Sequence, residues 1–174
     1  IAAVFLTILI GLALSRLLGR GWRLGILTGG AVAICGASAA LAISSVLPKN
    51  DNSERNTIFT VISVTALSTV AMIIYPLIVS ALDLNTTDAG IFIGATIHDV
   101  AQVVGAGYSI SEQTGDTATF IKLLRVSLLF PVVLFFSAIF LKGRSAEGKF
   151  VFTPPYFIIA FAFLVLLNST LGVP

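Results

Sequence analysis

The chain has 174 residues, of which 57% are hydrophobic and 10% charged, and its formal net charge is +2. Soluble domains carry roughly 25% charged residues, so this composition, with a mean hydropathy of +1.05, excludes a water-facing globular surface and points to an all-α membrane protein. One cysteine, Cys35, excludes an internal disulfide.

A hydrocarbon layer about 30 Å thick takes roughly 20 apolar residues as helix. Six stretches meet or approach that length: 1–18, 24–47, 58–82, 89–108, 117–141 and 155–171. Backbone in lipid must satisfy its own hydrogen bonds, and no segment shows the alternation of a barrel strand. The expected architecture is a polytopic helical bundle with six transmembrane segments, forming a single domain over 1–174. The chain opens inside one apolar run and stops just after another, without an initiator Met or a signal-peptide pattern, so it reads as a fragment of a longer protein.

In chain order, 1–18 is followed by Arg16, Arg20 and Arg23 around the first turn. The second stretch holds "TGGAVAICGASAALAISS" (28–45), in which fourteen of eighteen residues are Gly, Ala, Ser, Thr or Cys. Two readings stay open there. It is a tightly packed central helix, since small residues let backbones approach, or it is an interrupted helix at Cys35–Ser38 of the kind that forms midplane substrate sites. Cys35 by itself reads as a small buried residue. After the polar turn 47–56 and the stretch 58–82, "DLNTTDAG" offers Thr87 as an N-cap with Asp88 in the first turn.

The stretch 89–108 starts with the close-packing pair Gly90 and Gly94 and carries His98, Asp99 and Gln102 at its centre. His98 and Gln102 are four apart on one helical face, which Gly94 and Gly105 extend. The turn "SISEQTGD" makes Asp116 the expected N-cap of the next helix, which carries Lys122 and Arg125 three apart and Pro131 as a kink beyond them. The last turn, 142–155, ends in two prolines, of which Pro155 suits a first helical position.

Loop charges set an orientation. If all six stretches cross, the basic loops around 16–23 and 142–149 share the cytoplasmic side with six Lys/Arg, against two, Lys49 and Arg55, opposite. Making 89–108 alone a dip changes this to three against five, so the charges favour a full crossing. In an antiparallel hairpin, Asp99 lies ten residues before Ser109 and Arg125 nine after Asp116, which puts the two at nearly equal depth. Intramembrane ionisable groups are candidates for function. One Asp against Lys122 and Arg125 leaves surplus positive charge, which attracts anions in a low dielectric. The structural alternative is an Asp99–Arg125 salt bridge locking two helices while Lys122 snorkels outward.

One His and one Asp fall short of a zinc site, and no phosphate loop, nucleophile elbow or dinucleotide fingerprint is present. Neither an enzyme nor a metal, cofactor or nucleic-acid partner is expected.

The blocks "AVAICGASAA" (31–40), "GIFIGATIHDVAQVVGAG" (90–107), "GDTATFIKLLRVSLLFPVVL" (115–134) and "LNSTLGVP" (167–174) resemble, in order and spacing, the YeiH-type family of bacterial inner-membrane proteins described as sulfate exporters. The resemblance implies an inverted-repeat transporter fold with alternating access, a longer chain of about ten spans, and a location in the cytoplasmic membrane. The expected function is secondary transport of a small anion, sulfate or a related oxyanion. Lys122 and Arg125 would bind the anion, His98 and Asp99 would carry the coupled proton, and Gln102, Cys35, Gly36 and Ser38 would complete the site. The alternative from another class is a membrane scaffold or subunit whose polar cluster only locks helices. A channel is a third class, and nothing in the spacing favours it.

Overall fold

The computed structural model describes residues 2–142, and every regular element among them is a helix: α1 (Ala2–Leu17), α2 (Trp22–Ala33), α3 (Ala37–Val46), α4 (Ser53–Ala81), α5 (Thr86–Thr96), α6 (Val100–Tyr108), α7 (Glu112–Ser127) and α8 (Leu129–Lys142). The expected segment 155–171, with Pro155 as its first residue, lies outside the described residues.

Two stretches, Ser53–Ala81 and Glu112–Phe140, are long and apolar enough to cross a bilayer. The second is α7 running into α8. Its ladder slips at Leu128, whose N–H reaches back three residues to the Arg125 carbonyl. Pro131 explains the slip, because it has no N–H for the carbonyl of Ser127 and its ring crowds that position. Outward faces are apolar: Leu9, Leu14, Ile62 and Leu77 are all exposed, a surface that suits lipid and not water.

The segments 24–47 and 89–108 are not single helices. Each is interrupted, at Ile34–Gly36 and at Ile97–Asp99, and each folds back on itself. In the first, α2 packs antiparallel on α1 through Gly25 against Ser15 and Gly29 against Ile8, while Ile43 of α3 returns to lie over Gly30 of α2. Gly36, at φ 71° and ψ −120°, makes the reversal. In the second, α5 runs parallel to α7: Thr86 meets Gln113 and Thr114, Gly90 packs on Thr117, and Gly94 packs on Ala118 and Ile121. The helix α6 runs antiparallel to α7, with Gly107 on Gly115 and the Tyr108 hydroxyl donating to Asp116 at 2.6 Å. Since α7 is parallel to α5 and antiparallel to α6, α5 and α6 oppose each other. The expected full crossing by 89–108 is therefore corrected to a hairpin, and so is that by 24–47. Gly94 and Gly105 do not extend one face either. The first packs on α7, and the second on Met72 of α4.

The order is helix, hairpin, helix, hairpin, helix. The α2–α3 hairpin enters from the end of the bundle where α4 begins; the α5–α6 hairpin enters from the end where α4 finishes. The tips meet between: a Cβ at Gly36 would touch Val64 of α4 at 3.1 Å and His98 at 3.9 Å. Val64 and Ser68 flank the centre of the 29-residue α4, which is about 43 Å long at 1.5 Å per residue. The stacking of Trp22 on Phe140, 5.4 Å between centroids, brings the end of α8 back to the start of α2.

Two expected caps are corrected. Asn85, not Thr87, caps α5, its Oδ1 accepting the Asp88 N–H at 2.9 Å. Ser111, not Asp116, caps α7, its Oγ accepting the Thr114 N–H at 3.1 Å. In each case a side chain three residues upstream reaches the free amide.

Candidate functional site where the hairpin tips meet

An interrupted helix leaves its last carbonyls without amide partners, and in an apolar interior each costs several kcal/mol if unmet. Here α7 meets them. Lys122, fully buried at 0% exposure, donates from Nζ to the Ile97 carbonyl at 2.5 Å. Arg125 donates from Nε to the Ala33 carbonyl at 2.6 Å and from Nη1 to the Ala95 carbonyl at 2.5 Å. Those carbonyls close α2 and α5, where the helix dipoles end negative, so cations are favoured there. One guanidinium thus ties the tips of both hairpins, as its fork of donors allows.

This arrangement differs from the structural alternative of an Asp99–Arg125 salt bridge with Lys122 snorkelling outward. Asp99 is close in sequence depth but is used as the N-cap of α6, its Oδ1 accepting the Ala101 N–H at 2.9 Å. Its own N–H donates to Ser68 Oγ at 3.3 Å. The histidine lies in the break, not on a helical face with Gln102. Gln102 sits on α6 and donates from Nε2 to Thr69 Oγ1 at 3.4 Å. His98 Nδ1 and Gln102 Oε1 are buried without a hydrogen-bond partner among the described residues.

Of the other expected site residues, Cys35 and Gly36 are buried at the first tip and Ser38 is exposed in the first turn of α3. The N-cap of α3 is Gly36, which has no side chain to cap it. The Ala39 N–H donates to the Cys35 sulfur, which leaves the amides of Ala37 and Ser38 for an anion. The site therefore gathers Cys35, Gly36, Ser38, His98, Asp99, Gln102, Lys122 and Arg125 around two breaks. Its formal charge is +1 with His98 neutral, from Lys122, Arg125 and Asp99.

Sequence reading placed the helix of α4 but missed its part in the site. Thr60, Val64 and Ser68 are buried and four residues apart, a stripe that carries the tips: Val64 under Gly36, Ser68 under Asp99. That spacing of small or polar residues in 58–82 was the available signal. Among the described residues no group of His, Cys, Asp and Glu could hold a metal ion.

The family described as conserved hypothetical protein 698 matches the chain over residues 1–174. The chain belongs to that family. It is the family that the sequence blocks resemble, and its members include the UPF0324 membrane proteins. The one from Chlorobaculum tepidum is 63% identical over 99% of this chain and 49% of its own length. The one named TauZ from Paracoccus denitrificans is 57% identical over 99% of this chain and 52% of its own. A third, from Rhizobium meliloti, is 57% identical over 100% of this chain and 51% of its own. The chain thus spans about half the length of the curated relatives it matches, and it is a membrane protein. No solved structure matches it.

Proposed function

We propose that the chain is the part of a secondary transporter that binds a small anion, sulfate or a related oxyanion, in the bacterial cytoplasmic membrane. The observation that carries this reading is the meeting of two opposed hairpin tips at mid-α4, beside a helix N-terminus capped only by glycine, with the buried Lys122 and the half-buried Arg125 at the tips. Irregular backbone at membrane depth is tolerated where it lines a site, and broken helices around a midplane site are the pattern of inverted-repeat transporters. The alternation of helix and hairpin reads the same from either end, which supports such a repeat. On this reading the α3 amides, Ser38 and Gln102 contact the anion. Lys122 and Arg125 hold the tips and supply the positive field, and His98 with Asp99 carries the proton. No catalytic chemistry is assigned.

Reversing both hairpins also sharpens the topology. Arg16, Arg20, Arg23, Lys49, Arg55 and Lys142 then share one end of the bundle. The other end, at 82–85 and 109–111, has Asp83, Asp88, Glu112 and Asp116 and no Lys/Arg among the described residues. The positive-inside rule makes the first end cytoplasmic. Single cysteines placed at Asn50 and at Asp83 in a Cys35→Ala background are expected to react with an impermeant maleimide from opposite sides of the membrane. Labelling of both from one side refutes this topology.

The transport reading is tested with purified protein and then with proteoliposomes. Sulfate or another oxyanion is expected to raise the thermal midpoint and to be taken up under a pH gradient. Stabilisation that survives intact in Arg125→Gln sinks the assignment. The second reading, a non-transporting scaffold, draws on the engagement of both cations by carbonyls; it predicts no response to any oxyanion.

A further inference from the structure

A second cationic site lies far from the tips, at the basic end of the bundle. A cleft of about 490 Å³ opens between the α1–α2 turn and the start of α4, lined by Arg20, Arg23, Arg55, Asn52, Asn56 and Phe59 among others. Among the described residues no carboxylate lines it. Asp51 and Glu54 belong to the same connection but stay outside it. Gly19 and Gly21, at φ 66° and 78°, shape the turn, and a Cβ at either would meet nothing within 4 Å among the described residues. Both helices that start here, α2 at Gly21 and α4 at Asn52, lack an N-cap side-chain bond. The Ser53 N–H is taken by the Asn50 carbonyl, and the positive dipole ends of both helices lie at the cleft, whose lining includes Gly21, Trp22 and Asn52. Arg23 is anchored by its cation–π contact with Trp22, 5.2 Å from the ring centroid, and its Nε is buried without a partner among the described residues. Apolar side chains adjoin it: Phe59, in the lining, is 61% exposed, and Leu17 and Leu18, which immediately precede Gly19 in the chain, are 83% and 74% exposed.

We propose that this cleft binds the phosphate of an anionic phospholipid. Three guanidinium groups and two helix N-termini suit a phosphate diester, and the exposed Leu17, Leu18 and Phe59 suit the acyl chains that come with it. Free phosphate would use the donors and leave the adjoining apolar side chains unexplained. The basic end, where anionic headgroups are attracted to Lys and Arg, is where such a site belongs. The site is separate from the hairpin tips, and its failure would leave the transport reading untouched.

The test compares thermal midpoints of the purified full chain in nanodiscs of phosphatidylglycerol, in nanodiscs of phosphatidylcholine, and in phosphatidylcholine with inorganic phosphate at matched ionic strength. Phosphatidylglycerol is expected to raise the midpoint by roughly 3 °C or more in the wild type, and phosphatidylcholine with phosphate is expected not to. The gain should vanish in Arg23→Gln/Arg55→Gln, shrink in Arg20→Gln, whose exposed side chain makes misfolding no concern, and persist in Arg16→Gln, which does not line the cleft. Three results overturn the proposal: an equal gain with inorganic phosphate, a gain retained in the double variant, or a gain lost equally in Arg16→Gln.

Discussion

Replacing Arg125 with glutamine is expected to destabilise the protein and to part its two hairpin tips. The guanidinium gives one hydrogen bond to the Ala33 carbonyl and one to the Ala95 carbonyl. Each is charge-assisted, and such bonds contribute about 1.5–3 kcal/mol. A glutamine amide is too short to reach both carbonyls, and loss of the bond to Ala33, a buried residue, leaves its carbonyl without a partner. The expected loss is about 3 kcal/mol or more, read as a lower thermal midpoint. Arg125→Lys should fall between, since it keeps the charge but not the fork. Cys35, buried beside Ala33, gives an independent reading: its alkylation by a maleimide should speed up in Arg125→Gln at a temperature where both proteins are folded. An unchanged midpoint with unchanged Cys35 reactivity would show that the bridge between the tips is not what holds them.

The second large effect is expected at Gly36. Its φ of 71° and ψ of −120° match the first central residue of a type II′ turn, a conformation that favours glycine. An alanine there costs about 1–3 kcal/mol in backbone strain, and its Cβ would press on Val64 at 3.1 Å and lie against His98 at 3.9 Å. Gly36→Ala should therefore lower stability and also displace the first tip from the second. Gly19 separates these effects. It has φ 66° and open space around it among the described residues, so Gly19→Ala carries the strain without the displacement. Any oxyanion-dependent stabilisation should be lost in Gly36→Ala and kept in Gly19→Ala. Adding Val64→Ala to Gly36→Ala should recover part of the stability, because it relieves the contact and not the dihedral angle. Equal behaviour of the two glycine variants toward oxyanions would remove the tip contact from the mechanism.

Composition and apolar run length determined the class by themselves. With 10% charged residues, the chain has no aqueous surface to offer, and the five expected segments within the described residues coincide with helical stretches. The glycines and small residues around Cys35 marked one break correctly as an open option, because weak helical preference is a local property. Counting from the 109–116 turn put 99 and 125 at similar depth, because α6 and α7 are joined by a short turn and depth follows from residue number. In the structure Asp99 lies in one hairpin tip, and Arg125 donates to the Ala95 carbonyl just before it. The blocks around His98 and Lys122–Arg125 also carried the family.

Direction and partnership were decided only in three dimensions. A run of about 24 residues is long enough for one crossing and equally for two half-length helices with a three-residue reversal. Composition is the same in both cases, so 24–47 and 89–108 read as spans. The charge count then erred because it reversed one hairpin alone; reversing both moves Lys49 and Arg55 to join the other basic residues. The partners of Lys122 and Arg125 were hidden for a related reason. They are backbone carbonyls of Ile97, Ala33 and Ala95, freed by breaks in other segments. A carbonyl is present at every residue, and the fold alone selects which ones lack an amide. Sequence showed that cations lie at depth beside a carboxylate; the tertiary structure showed that they face the negative ends of two helices instead.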